Sequence, residues 1–398
     1  MQCRWQRLGS RARSSRGLVL IGLVLLTLGF DARVGAEATE APNARALLED
    51  FKTTVELSHI YDPRWVELKY AEVGRVYGLL DRHPVDTTAV RAGRWSDPST
   101  WSTGSPPGPD TTAWIPAGLR VEVDTVLPTA GPKLVRVDGV LTFTTSRNTR
   151  LGVGTIVVTH LGGLEVGSSD RRVAPDASAE IVFTRPPERD RRIDPMDLTG
   201  GLLVTGRLEL FGALKQGVAL PHGDLREGMS HVRFERMPTG WVVGDRLLAP
   251  GVNEDRAEDE VVRIAAIDPS TQSIELDRPL AYDHQGPRQG LVPLGNLSRN
   301  VVLRSVAPQD VSRRGHVMIV HRQGGVEVDS VRFEEVGRTR ADAAATRPKL
   351  DATGKLVPGS DSNTIGRYML HFHNRIGARR SEFQRVAHSV FEGGPRHG

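Results

Sequence analysis

The chain has 398 residues, 38% hydrophobic and 25% charged, which is enough apolar material for a packed core and too much for a disordered polymer. Its 42 glycines, 25 prolines and 5% aromatic content favour frequent turns and exclude an all-helical protein. The formal charge is +4, but residues 1–36 hold six Arg against Asp31 alone, and without them the balance falls to −1, so no nucleic-acid partner is expected.

Residues 1–36 read as an address. Arg4 to Arg16 form a basic stretch, residues 17–30 an apolar run of 14, and Val34-Gly35-Ala36 a small-residue site, the layout of a signal peptide cleaved after Ala36. Fourteen helical residues reach about 21 Å, short of a bilayer core of about 30 Å, so no stable membrane span is expected after cleavage. The expected location is secreted, periplasmic or extracellular. Cys3 is the only cysteine and lies in this segment, so disulfides, thiolate metal sites and a cysteine nucleophile are not expected in the mature chain.

Residues 37–90 read as helical. Asn43 can cap a helix carrying Leu47, Leu48, Phe51 and Val55, and Asp62-Pro63 can start a second with Trp65, Leu68, Val73, Val76, Leu79 and Leu80. The two stripes should pack together or cover a sheet, and His59 at the turn should be a polar surface residue. From residue 91 the pattern changes to short alternating runs between Gly, Pro, Asp and Ser, which are strands with tight turns. Gly-x-apolar-x-apolar recurs at Gly139, Gly162 and Gly206, spacings of 23 and 44, and again at Gly324. A period of about 22 residues marks a solenoid whose coils bury inward side chains against one another. The runs around Trp241 to Leu248, Glu260 to Ile264, Ser273 to Leu276, and 300–336 read as its continuation, with a polar interruption at 338–363.

Arg94-Trp95-Ser-Asp-Pro-Ser-Thr-Trp101, Gly104, Pro106, Pro107, Asp110, Ile115-Pro116, Gly118, Val137-Asp-Gly139-Val-Leu141 and Leu161-Gly-Gly-Leu-Glu-Val-Gly167 resemble the G-eight domain. That domain occurs in fibrocystin and in the cell-migration-inducing and transmembrane proteins that bind and degrade hyaluronan. Trp241-x-x-Gly-Asp245, Leu276-Asp-Arg-Pro-Leu280-Ala-Tyr-Asp283-His284, Gly315-His316-Val-Met-x-x-His321 and Ile365-Gly-Arg367-Tyr368-Met-Leu-His371-Phe-His373 resemble the right-handed parallel β-helix that follows it. The resemblance implies an all-β fold, with a G-eight domain at 91–235, a β-helix at 236–398 and a short helical segment before them. It also implies an extracellular, glycan-facing protein and, for the hyaluronan-degrading members, a calcium-dependent endo-hydrolase. The chain lacks the later portions of those long proteins. It stops just after an apolar strand at 389–391, so another copy is expected to cover the last coil, or further chain to follow it.

His371 and His373 fall on one face of a strand, with Leu370 and Phe372 turned the other way. Two imidazoles can ligate a divalent metal such as calcium if a third ligand, of which His321 is the candidate, joins them. The alternative is a hydrogen-bonded histidine ladder. His316, five residues before His321, should face the opposite way. Arg367 and Tyr368 offer a guanidinium and an aromatic face for a sugar carboxylate and ring. Trp95, Trp101 and Trp114 suit a sugar platform or, more simply, the core. Glycoside hydrolysis needs two carboxylates. Asp245 and Asp283 stand beside the motifs, with His284 next to the latter, whereas Glu254, Asp255, Glu258, Asp259 and Glu260 form an acidic run suited to a solvated loop or a calcium site. Asn296-Leu-Ser298 fits an N-glycosylation acceptor. Three readings follow: a module binding an extracellular polysaccharide, in particular an acidic, glycosaminoglycan-like one; a metal-dependent, hyaluronan-type glycan hydrolase; and a structural or adhesive solenoid.

Overall fold

A computed structural model describes residues 40–55, 57, 62–252, 256–286, 290–306, 309–321, 325–353, 355–373 and 384–396. The expected leader at 1–36, His59, Glu254, Asp255 and Gly324 lie outside the described residues.

Asn43 caps helix α1 (Ala44–Thr54) by accepting from the Ala46 amide, and Asp62 caps α2 (Pro63–Asp81) with Pro63 in the first turn, where a missing N–H costs nothing. From residue 87 the chain winds through coils that each add a strand to parallel sheets. The first sheet stacks Thr87–Thr88, Thr112–Ile115, Leu134–Val137, Thr155–Val158, Gly201–Val204, His316–Ile319 and His371–Phe372. The second stacks Gly93–Arg94, Arg120–Val123, Val140–Phe143, Gly163–Val166, Arg207–Phe211, Val326–Asp329 and Gln384–Ala387. The third, present from the third coil onward, stacks Thr149–Val153, Ala179–Phe183, Val301–Ser305, Val331–Glu334 and Val390–Glu392. The protein is thus a β-solenoid with a short helical segment before it.

Pairing in register aligns like side chains. Ile115, Val137, Val158, Val204 and Ile319 occupy corresponding positions up the first sheet, and Val121, Leu141, Leu164, Leu208 and Val326 up the second, all buried in one continuous core. Trp95 and Trp101 belong to this core, edge to face with ring centroids 4.9 Å apart, and Trp114 is buried against Asp138. The sugar-platform reading of these tryptophans is therefore overturned.

The recurring glycines sit at the corner between first and second sheets. A Cβ on Gly139 would lie 2.3 Å from the Leu119 and Pro116 carbonyl oxygens, on Gly162 2.2 Å from that of Val137, and on Gly206 2.2 Å from that of Thr159. Gly162 and Gly206 stand in neighbouring coils, so the spacing of 44 is one coil enlarged by the loops at 167–178 and 184–200, and not two coils.

The first sheet is buried on both faces. Its outward Leu134, Val157, Leu203 and Met318, with Val320 just beyond, pack against Leu47, Phe51, Val73, Val76 and Tyr77 of the two helices, so the stripes cover a sheet as well as each other. Polar pins reinforce this. Tyr77 Oη lies 2.7 Å from His160 Nδ1, and Lys69 Nζ donates to the Val320 carbonyl at 2.7 Å.

Residues 212–300 depart from the expected solenoid. Val218–Ala219, Leu294–Asn296, Arg246–Ala249, Glu260–Asp268, Ser273–Leu276 and His231–Arg233 form one antiparallel sheet with its own core, leaving the second sheet and returning to the third within a single coil. The physical reason is one-sided burial. Glu260–Asp268 alternates buried and exposed residues and turns back through a hairpin at 269–272, with Gln272 at φ 54°. The insertion grips the solenoid two coils further on, where Arg246 forks onto Glu392 at 2.6 and 3.0 Å and Arg299 donates to the His388 carbonyl at 2.6 Å. Asn296 is buried and its amide donates to Asp245, so the folded chain does not present this sequon to a glycosylating enzyme.

Gly162→Ala should destabilise the protein by about 3 kcal/mol or more, because the obstructing atom is backbone. Gly108→Ala, whose Cβ would meet nothing within 4 Å, should be nearly neutral. Urea midpoints of the two variants check this, and equal midpoints would remove the corner constraint.

Candidate functional site

Helix α2, the loop at 194–198 and the polar stretch after residue 338 enclose a trough over the outer face of the first sheet. One cavity of about 360 Å³ has an apolar floor that includes Leu68, Val76, Met318, Val320 and Ile365, with Arg75, Arg347 and Lys349 around it and Glu72 and His373 at one side. A second of about 250 Å³ adjoins it through the shared residues Arg75, Met196 and Leu198, and continues past Gly74 and Gly78 to Arg82. A third of about 260 Å³, lined by His83, Lys133, Arg185 and Arg189, lies past the end of α2.

The trough exists because of α2's composition. Ala71, Gly74, Arg75, Gly78 and Arg82 share a helix face at spacings of three, four and seven, and Gly78, where an added Cβ would meet only the Arg82 guanidinium at 4.0 Å, leaves open space between two guanidiniums. Each helical glycine costs about 1 kcal/mol relative to alanine. Arg75, Arg82, Arg347 and Lys349 are exposed, and none of their side chains makes a hydrogen bond or ion pair among the described residues. Arg185 differs, since it pairs with Asp110 at 2.7 Å.

At the closed end, Glu72 Oε2 receives Lys69 Nζ at 3.1 Å and Glu72 Oε1 lies 3.2 Å from His373 Nε2. His373 Nδ1 lies 3.3 Å from His371 Nε2, and the His371 ring stacks on Tyr368 with centroids 5.0 Å apart and planes 9° apart. Burial, followed by the charges of His373 and Arg367, lowers the His371 pKa to about 4, so its ring is neutral at pH 7. Burial also lowers Lys69, against the pull of Glu72. Gly366, at φ 83°, is required here, since a Cβ would lie 2.9 Å from His371 Cε1.

His371 and His373 therefore share a face as expected, but as a histidine ladder ending on Glu72. His321 does not join them; its ring meets Phe51 edge-on at 5.0 Å. Among the described residues no group of three or more His, Cys, Asp or Glu could hold a metal. Calcium would need six or more oxygens, and Glu72 is the one carboxylate lining this cavity. The side chains present do not fit the expected metal.

Arg367 lines the first cavity but is 5% exposed, and donates to the Asp197 and Met196 carbonyls at 2.6 and 2.7 Å. Burial lowers its pKa to about 10. It braces the 194–198 loop, a task that leaves little of its guanidinium for a sugar carboxylate. Tyr368 contributes its ring face to His371.

Asp245, Asp283 and His284 lie in the insertion and do not converge with the histidines. Asp245 receives Lys215 and the Asn296 amide, Asp283 accepts from the Glu227 amide at 3.0 Å, and fully buried His284 bridges the Pro250 carbonyl and Glu260 at 2.8 and 2.9 Å. These contacts stitch the insertion together. Of the acidic run, Asp259 is exposed and accepts from the Gly251 amide, as a solvated loop would have it, whereas Glu260 turns inward onto His284. The polar stretch 338–363 is built around Asn363, whose amide donates to the Arg340 and Ala343 carbonyls, and it supplies Arg347 and Lys349 to the trough.

Because His371 is neutral when folded and protonates near 6.5 when unfolded, unfolding takes up a proton below that pH. The stabilisation is complete above about pH 6.5 and fades as pH falls to about 4. Denaturation midpoints between about pH 7 and pH 4.5 should decline in the wild type and decline less in His371→Phe, which keeps a ring against Tyr368. Parallel curves would exclude this linkage.

Among known proteins, residues 100–219 match the G8 domain. No curated protein matches the chain. Among solved structures, the tailspike protein gp49 from Pseudomonas phage LKA1 aligns at 11% identity over 58% of this chain and 28% of its own, with a TM-score of 0.20. The Gp54 tailspike of Acinetobacter baumannii bacteriophage AP22, solved in complex with A. baumannii capsular saccharide, aligns at 10% identity over 55% and 33%, also with a TM-score of 0.20. The chain thus spans a third or less of either tailspike. The G8 match is to the segment whose Leu134, Val157 and Leu203 lie beneath the two helices, of which α2 walls the trough.

Proposed function

We propose that the protein is exported and that the trough along α2 binds an extracellular acidic polysaccharide. The observation that carries this reading is the set of four cations, Arg75, Arg82, Arg347 and Lys349, lining two adjoining cavities with no carboxylate or hydrogen-bond partner among the described residues. Guanidiniums held this way are ready for planar carboxylates, and the apolar floor between them suits the faces of sugar rings. The G8 match supports a glycan-facing role. The glycan hydrolase reading has less support. It requires two carboxylates facing one glycosidic bond, and each cavity is lined by one: Glu72, Asp194 or Glu188. Asp194 is further committed to the Leu198 and Thr199 amides.

Immobilised hyaluronan and alginate should retain the protein at low salt and release it as salt rises, while dextran should not. The double variant Arg75→Ser, Arg82→Ser should bind about tenfold more weakly or worse. Equal retention on dextran, or undiminished binding by the double variant, would overturn the reading. Export is checked by sequencing the N-terminus of protein recovered outside the cytoplasm, which should begin at Glu37.

A further inference from the structure

The largest of the three cavities has a floor that carboxylates alone do not explain. Val76, Met318 and Val320 are 1–3% exposed, and Leu68 and Ile365 beside them are half-buried. Above this apolar surface stand hydrogen-bond donors, the side chains of Arg75, Arg347 and Lys349. An unsubstituted uronate chain meets such a floor only with the C–H faces of its rings, and its hydroxyls and carboxylates, if turned into the cavity, would lose water without replacing its hydrogen bonds.

We infer that this cavity receives O-acetyl substituents of the acidic polysaccharide, an inference that rests on the reading given above. An acetyl ester has the matching polarity, with a methyl for the aliphatic floor and a carbonyl oxygen that only accepts, for the guanidiniums and the ammonium. Specificity then comes from the floor, while the surrounding cations supply general attraction to any polyanion.

The test uses the whole protein and a bacterial alginate bearing O-acetyl groups, compared with the same preparation after mild alkaline deacetylation. Each buried acetyl methyl should tighten binding about fourfold, so the acetylated polymer should bind at least that much more tightly. Leu68→Gln and Ile365→Thr, both at half-buried positions, should each weaken binding of the acetylated polymer more than binding of the deacetylated one, so that the preference falls. Equal binding of the two polymers would overturn the acetyl inference and leave the acidic-polysaccharide reading standing. Failure to bind either polymer would remove both. A preference that survives both substitutions would place acetyl recognition elsewhere and overturn the assignment to this cavity.

Discussion

At the corners between the first and second sheets in the third, fourth and fifth coils, carbonyl oxygens of one coil come so close to Gly139, Gly162 and Gly206 of the next that a hydrogen atom is all the facing residue can carry. Parallel strands hydrogen-bond at a spacing of about 4.8 Å, and a corner holding a Cβ would force the coils apart there. The glycines let the turn keep the pace of the strands. Everything else depends on that equality: in-register aliphatic stacks, a sheet flat enough to be covered from outside, and helices seated on its outer face.

The trough is a by-product of how that cover is made. Helix α2 buries Val73, Val76, Tyr77, Leu79 and Leu80, while its other side carries Gly78 between the Arg75 and Arg82 guanidiniums, and Gly74 makes room for Leu48 of α1. The 194–198 loop is braced from within, since Arg338 and Arg367 both donate to carbonyls of residues 196–199 and Arg338 also faces Asp197. Two buried cations thus hold the wall, and four exposed ones are left to meet a ligand.

Much of the solenoid was legible in the sequence because its rule is local: the alternation within each short run and the glycine before it specify a strand and a corner. The helical stripes were equally plain. What escaped was whatever depends on distant segments meeting. The runs at Arg246–Ala249 and Ser273–Leu276 have the apolar pattern of coil strands, and four residues do not reveal whether a sheet will be covered on one face or both. His371 and His373 were correctly placed on one face, but Glu72, some 300 residues earlier, decides what they do there. Asp245, Asp283 and His284 stood beside recognisable motifs, yet each is occupied in holding the insertion together. The nearest sequence signal for the trough was the Arg75, Gly78, Arg82 spacing, in which the glycine looks wasteful in a helix unless that face stays open.

The insertion also has a mechanical consequence. It leaves the wall in the fifth coil, and its Arg246 reaches Glu392 in the seventh, which Arg332 of the sixth also grips. A pull on the seventh coil is therefore not resisted by one row of backbone hydrogen bonds opening in turn, because a brace spanning three turns of the spiral must yield along with them. On the polysaccharide-binding proposal, where a long polymer would pull on the protein, that brace would spread the tension over the wall instead of letting it unzip coil by coil.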